Sequence, residues 1–557
     1  MNRGKVTVNR FGGINEYSES FGEAIEMVNL FVTKDGNLKK RCDKREILSL
    51  RGEKLLASWE GTLRGIECVL FVTNGGFYKY LSGAEAAIFL RPFSAERAFA
   101  FEFGECVYIL SDTDLYLFDG GIVERVEGYA PIIAINTDSS GSCELFEAPN
   151  MLTPRRRQRF STDGSNVILR LLEKDIESII SVSYLGEVIS PMNYAFVSDK
   201  SEIMLDDIYP AGENTIEVEY SAKTSRRKEL LDYRRASVFG GGNDTRVFLF
   251  GSEQNPSYRR HSEIGDGVSR ADYFPENNFV SISGKVITSI IRHYDRQLIF
   301  CLDSTFYSVD EIRTDSFGNY YHSFPIYALN SDKGHIGGND AVLINNEPLS
   351  ITYDGIYKWV STNVRDERNA IKISEKVDGT VLRFLMRRDE FPIRLYDDDI
   401  RTELWIVSDD EALIYNYGLG VWYFYDGIEF VTFSRCFDKL FLGSDNGMIS
   451  VFEETTSSLP IRYISGTSAL GAEDSQKDIG FFSIDAKGKS GEGFDFELIG
   501  DDEQNKTTLS FFANHEHFRR RLTLRRKRRL RFGIEGNLSE FFATFISFIF
   551  KERGRLF

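Results

Sequence analysis

Residues 403–454 read ELWIVSDDEALIYNYGLGVWYFYDGIEFVTFSRCFDKLFLGSDNGMISVFEE. An apolar run at 404–407, a polar turn at 408–411 and a second apolar run at 412–417 spell strand, tight turn, strand. Residues 439–452 repeat that order around Ser444-Asp445-Asn446-Gly447. The same unit occurs at 68–81 around Asn74-Gly75-Gly76, at 106–118, at 246–261, at 297–309 and at 349–360 around Asp354-Gly355. Seven units at spacings of roughly 35 to 55 residues, each flanked by further apolar runs, predict the four-stranded blades of a β-propeller. Seven blades is the expected number and six the alternative. The last unit, 428–454, has room for only three strands, so the strand-like stretch 38–48 is expected to supply the fourth and latch the ring.

The fold class that follows is all-β. Five short strand-like runs between 167 and 220, separated by Asp163-Gly164, Leu185-Gly186, Ser198-Asp199 and Pro210-Ala211-Gly212, read as a β-sandwich inserted between two blades. A second sandwich is expected after Ser457-Ser458-Leu459-Pro460. The expected organisation is an N-terminal segment with the latch strand (1–52), blades one and two (53–130), the inserted sandwich (131–225), blades three to seven (226–456) and the C-terminal sandwich (457–557). Within the first segment, 22–29 reads as a short helix-compatible piece.

Composition bounds the function. With 557 residues, 47 glycines and 13% aromatics the chain is long enough for about three domains and favours strands and turns. A net charge of −17 argues against a protein that coats nucleic acid, although not against one that nucleic acid slides past. Cys42, Cys68, Cys106, Cys143, Cys301 and Cys436 are dispersed without a CxxC pair, which favours buried reduced thiols over a disulfide framework. The start, MNRGKVTVNRFGG, lacks the apolar core of a secretory signal, and no run approaches the roughly 20 apolar residues of a membrane span. Folding in a cytoplasm is the expectation.

Several stretches are more specific. Phe11-Gly12-Gly13-Ile14-Asn15 is followed by Gly22-Glu23-Ala24, Asn29-Leu30 and Gly36-Asn37-Leu38-Lys39-Lys40-Arg41. Later come Gly241-Gly242-Asn243-Asp244-Thr245-Arg246-Val247-Phe248, Asp272-Tyr273-Phe274-Pro275-Glu276-Asn277-Asn278, Phe324-Pro325 with Leu329-Asn330-Ser331, and Asp354-Gly355-Ile356-Tyr357-Lys358-Trp359 with Arg365-Asp366-Glu367-Arg368-Asn369. In this order, with Pro154-Arg155 and the basic C-terminal strands, the chain resembles bacteriophage tail nozzle proteins, also called tail tubular protein B or packaged-DNA stabilisation proteins. The resemblance implies a structural virion protein of the tail, a propeller subunit in a homo-oligomeric, six-fold ring below the portal and its adaptor. Such a ring forms the channel that retains and passes double-stranded DNA, and tail fibres are a further expected partner. It implies no enzyme activity and no cofactor. A related propeller at the neck or hub of a long-tailed particle is the neighbouring expectation.

Catalytic and metal motifs are weak. Asp397-Asp398-Asp399 and Asp409-Asp410-Glu411 offer paired carboxylates, as glycoside hydrolysis needs, but each is expected at a solvated turn. Lys487-Gly488-Lys489-Ser490 ends like a phosphate loop, yet Ser483 stands where its first glycine belongs. His515 and His517 share a strand face without a further ligand. No GxSxG or HExxH is present, and Ser444-Asp445-Asn446-Gly447 misses the S-x-D-x-G-x-x-W spacing of propeller sialidases. A carbohydrate-binding or carbohydrate-degrading propeller is therefore the rival class, with a protein-contact scaffold as a third.

The stretch 518–532 is more informative. Arg519, Arg521, Arg525, Lys527, Arg529 and Arg531 occupy odd positions, and Phe518, Leu522, Leu524, Leu530 and Phe532 even ones. A period of two predicts one buried and one cationic face, with a turn near 526–528. The cationic face would dock an acidic partner, either another subunit of this acidic protein or DNA phosphate; a charge-protected edge strand is the plain alternative. Arg155, Arg156 and Arg157, beside the insertion, are further candidates for subunit or DNA contact.

Overall fold

The doubled unit is built as its alternation requires. The computed structural model describes residues 3–555 apart from 315–317, 319, 361–369, 472, 474, 502, 513–515 and 522. In it Glu403–Ser408 and Glu411–Asn416 pair antiparallel around a turn in which Asp409 takes a φ of 59°, with Arg394–Asp398 and Val421–Tyr425 outside them. Glu403–Ser408 is buried at every position, the mark of a strand covered on both faces. The second copy comprises Thr432–Cys436, Lys439–Gly443 and Met448–Glu453. Phe437 and Asp438, both at positive φ, make its first turn. Its fourth strand is Asp43–Ser49, running antiparallel to Met448–Glu453 from Met448↔Ser49 to Glu453↔Asp43.

The chain is all-β in architecture. Among the described residues, six four-stranded sheets and the first four strands of a nine-stranded one make seven antiparallel sets. They span 55–92, 98–125, 235–281, 287–330, 342–372, 394–425, and 432–453 with 43–49. The first strand of one set lies beside the first strand of the next. Leu55–Leu63 neighbours Ala98–Phe103, which neighbours Arg235–Phe239, which neighbours Ile287–His293. Further on, Val342–Ile344 neighbours Arg394–Asp398, and Thr432–Cys436 returns to Leu55–Leu63.

Two other bodies attach to these sets. Between the second and third, a six-stranded sheet and a three-stranded sheet share one core of Ile133, Phe160, Val182, Ile203, Leu205, Ile216 and Val218. The insertion is held to its neighbours by Asn150, whose Nδ2 donates to the carbonyls of Tyr129 and Asp272 at 2.8 Å. The last body corrects the expected boundaries, because 1–52 and 457–557 are not separate. Arg3–Val8 and Leu38–Lys40 pair with Phe541–Arg555. Ala24–Val28 lies between Val421–Tyr425 and Leu459–Ser465, so the sixth set continues into the C-terminal sheet as nine strands. The stretch expected as latch is likewise divided, with Leu38–Lys40 in the C-terminal body and Asp43–Ser49 in the seventh set.

Two local readings also change. The helix-compatible 22–29 is the strand Ala24–Val28. Ala24, Met27 and Leu30 are fully buried at a helix-like spacing of three, and the register shift between Ala24 and Glu26 is what permits this in an extended chain. A helix absent from the sequence reading, Asp378–Arg387, starts where Glu16 accepts from the backbone N–H groups of Gly379 at 2.7 Å and Thr380 at 2.9 Å. That cap comes from the far end of the chain. The Phe11-Gly12-Gly13 motif is a matter of close approach. The Ile14 N–H donates to the Trp422 carbonyl at 2.8 Å, and a Cβ on Gly13 would lie 2.5 Å from that oxygen and 2.7 Å from the Trp422 nitrogen. Gly13→Ala is expected to lower stability by roughly 1–3 kcal/mol, read as a lower urea midpoint at unchanged slope.

Candidate interaction surface

The basic stretch occupies three strands, His517–Arg520, Leu524–Lys527 and Leu530–Leu538, and Phe518, Leu524, Leu530 and Phe532 are buried as the alternation predicts. Leu522 lies outside the described residues. The first two strands pair with Ser475–Gly488, and the third belongs to the opposite, nine-stranded sheet. The six cations consequently do not share one face. Arg519, Arg521 and Arg525 are exposed. The Arg519 guanidinium lies over the ring of Phe481 at 5.3 Å, and Phe481 is itself exposed. Arg529 reaches Glu473 at 3.3 Å and Glu19 at 3.5 Å, while Arg531 is half-buried.

Lys527 corrects the reading. It is buried, its stem lies against Gly500, and its Nζ sits 3.2 Å from Glu503. The cause is local. Arg526 takes a φ of 58°, its N–H donates to Asp478, and the pairing with Ser475–Gly488 slips, so Lys527 turns to the buried side.

Arg155, Arg156 and Arg157 are engaged within the chain. Arg155 donates to Glu219 at 2.7 Å, and Arg156 pairs with Glu173. Arg157 donates to the Ala130 carbonyl at 2.8 Å, the Tyr129 hydroxyl at 2.9 Å and Asp266 at 3.0 Å, and so fastens the insertion to the third set. Burial pulls the Arg156 guanidinium below its ordinary pKa. Arg519, Arg521, Arg525 and Arg529 are the candidates that are exposed, the last of them in ion pairs with Glu473 and Glu19.

The acidic clusters are solvated in part: Asp399, Asp409 and Asp410 are exposed as expected, and Asp398 is not. Asp398 is fully buried between Arg401, at 2.8 Å, and Arg435. Burial pushes the neighbouring Asp397 up to about 6, although the Tyr417 hydroxyl donates to it at 3.1 Å. Asp409 and Glu411 pair with Arg387 and Arg383 of the helix Asp378–Arg387. These ion pairs tie a turn to its neighbours. His517 pairs with Asp485, and His515 lies outside the described residues, as does the segment 365–369. Among the described residues no group of three or more His, Cys, Asp or Glu side chains is placed to hold a metal, and the six cysteines are free thiols.

Sequence reasoning missed buried charged side chains inside the sets, among them Arg259 and Glu403. Arg259, wholly enclosed, donates to Gln297 and at 2.8 Å to the Phe324 carbonyl, and burial lowers it to about 9. Glu403, at the first position of the opening stretch, is 5% exposed; its Oε2 has no hydrogen-bond partner within 3.5 Å among the described residues, and the Trp405 indole N–H is the neutral donor facing the carboxyl. Its only signal in the sequence is a carboxylate at the head of an otherwise apolar strand.

No protein-family model and no curated protein matches the chain. Among solved structures it is similar to a computationally designed protein at 11% identity, over 73% of this chain and 99% of that one, with a TM-score of 0.33. It is similar to the extracellular domain of a one-component system from B. thetaiotaomicron at 12% identity, over 91% of this chain and 80% of that one, with a TM-score of 0.25. An exo-β-1,3-galactanase from Phanerochaete chrysosporium, with galactose, is similar at 6% identity, over 56% of this chain and 95% of that one, with a TM-score of 0.22. At these scores no argument about function passes from any of them to this chain.

Proposed function

We propose that the chain is a structural protein of a phage tail, a nozzle or hub subunit whose seven four-stranded sets are the blades of a propeller and whose copies form a ring around a channel for DNA. The observation that carries this reading is the ordered series of segments resembling tail nozzle proteins, of which many fall at constrained points of the scaffold rather than in a catalytic cleft. Gly13 admits the Trp422 backbone, Asn150 ties the insertion to the stretch Asp272–Asn278, and Trp359 is buried with its indole N–H on Ser350. The charge supports it too, since a net −17 repels phosphate along a channel wall and lets DNA pass. The exposed Arg519, Arg521 and Arg525 are then contacts to an acidic neighbouring copy.

The test is assembly of the purified chain, alone and with a phage portal, followed by native mass and negative-stain imaging. Rings with a central hole are expected. The triple variant Arg519→Glu, Arg521→Glu, Arg525→Glu is expected to melt with the parent while no longer forming rings. A protein that stays monomeric with portal and clears a polysaccharide overlay overturns the reading in favour of a carbohydrate-acting propeller.

A further inference from the structure

A cleft of about 850 Å³ opens where three parts of the chain meet: the hairpin Leu30–Val32 with Leu38–Lys40, the turns on either side of Glu403–Ser408 and Glu411–Asn416, and the end of Met448–Glu453. Its size is that of a small-molecule site. Phe31, Val32, Ile400, Leu419, Tyr425 and Phe452 supply the apolar part of its wall. Glu403 is in the same wall. Its Oε2 is sealed from solvent and has no hydrogen-bond partner.

The surrounding charges do not satisfy this carboxyl. Arg401, the nearest cation in the wall, is held by Asp398 at 2.8 Å and by the Phe452 carbonyl at 3.1 Å, with its guanidinium over the Phe452 ring. Arg41 donates to Asn29, the Cys42 carbonyl and the Asp426 carbonyl. At the rim Glu453 pairs with Arg45 and Glu454 with Lys39. The groups that face Glu403 from the packed strands are Asp398, Arg401, Cys42, Tyr423, Tyr425 and the indole N–H of Trp405. An unpaired buried carboxyl costs free energy that a bound donor would recover.

We propose that this cleft binds a small organic cation, an ammonium carried on an apolar body, with the ammonium on Glu403 and the body against the apolar wall. A bare divalent metal fits poorly, because it takes several oxygen ligands and no such group is present among the described residues. This inference does not depend on the tail reading. Binding at pH 7 displaces the proton from Glu403 to the buffer, since burial and the nearby Asp398 push that carboxyl up to about 8.

The experiment is calorimetric titration of the full chain at pH 7 with phenethylamine and, separately, with its uncharged isostere phenethyl alcohol, each in two buffers of different ionisation enthalpy. The amine is expected to bind with release of close to one proton, and the alcohol to bind at least roughly tenfold more weakly. Glu403→Gln is expected to abolish proton release and weaken the amine by a similar factor. Leu419→Trp, at the cleft mouth, is expected to block binding without lowering the melting temperature. Equal affinity for the alcohol, unchanged amine binding in either variant, binding without proton release, or no heat with the amine at millimolar concentration overturns the proposal.

Discussion

Glu403→Gln stabilises the folded chain at pH 8.5 by roughly 3–5 kcal/mol and changes it little near pH 4.5. The size follows from one displaced proton affinity. Burial, with Asp398 adding to it, raises the Glu403 carboxyl from 4.5 to about 8, and Arg401 offsets only part of this. A folded state that binds the proton more tightly than the unfolded chain is at its best below pH 4.5, where both forms are protonated. As pH rises toward 8 the unfolded chain releases the proton and the folded chain keeps it, so stability falls throughout that window and levels off above it. Glutamine has nothing to release. Urea midpoints of parent and variant at pH 5 and pH 8.5 check the point, since every other titrating group cancels in the comparison. A gap between the two proteins that is the same at both pH values would show that Glu403 ionises freely in the folded state.

What the sequence makes legible, and what it hides, divides on physical grounds. The sets are legible because each needs only local alternation and a turn, and 403–454 displays both twice. Their closing strand is legible because a three-stranded unit leaves an edge that something must cover. Features fixed by distant partners are hidden. The helix Asp378–Arg387 takes its cap from Glu16, which no local window contains. The strand Ala24–Val28 carries a register shift that mimics helical spacing, and the positive φ of Arg526 turns Lys527 inward. The candidate surface suffered most from this, because a period-two argument assumes unbroken pairing and a single sheet. Asp398 and Glu403 were equally out of reach, one paired to Arg401 and Arg435 and the other with no partner on its Oε2. A carboxylate beside a turn looks solvated until the packing around it is known.

Deleting residues 1–49 leaves a chain without a stable fold. The removed segment serves three sheets at once: Asp43–Ser49 closes the seventh set, Ala24–Val28 bridges the sixth set to the C-terminal sheet, and Arg3–Val8 with Leu38–Lys40 covers Phe541–Arg555. Met27, Leu30 and Leu38 are fully buried, and each contributes roughly 1.5–3 kcal/mol. With Ala24, Val32 and Leu48 the loss reaches the whole margin of about 5–15 kcal/mol that a folded domain holds. Because that deletion removes several structures together, the latch is isolated by the double variant Ile47→Pro, Leu48→Pro. Both lie where the pairing with Met448–Glu453 shifts register, and the two prolines remove the N–H groups that hold the strand there, at a cost of about 3 kcal/mol or more. The expected result is a lower thermal midpoint and exposure of the Met448–Glu453 edge to hydrogen exchange, with Ser475–Gly488 still protected. A double-proline variant that melts with the parent would show that the seventh set holds together on three strands.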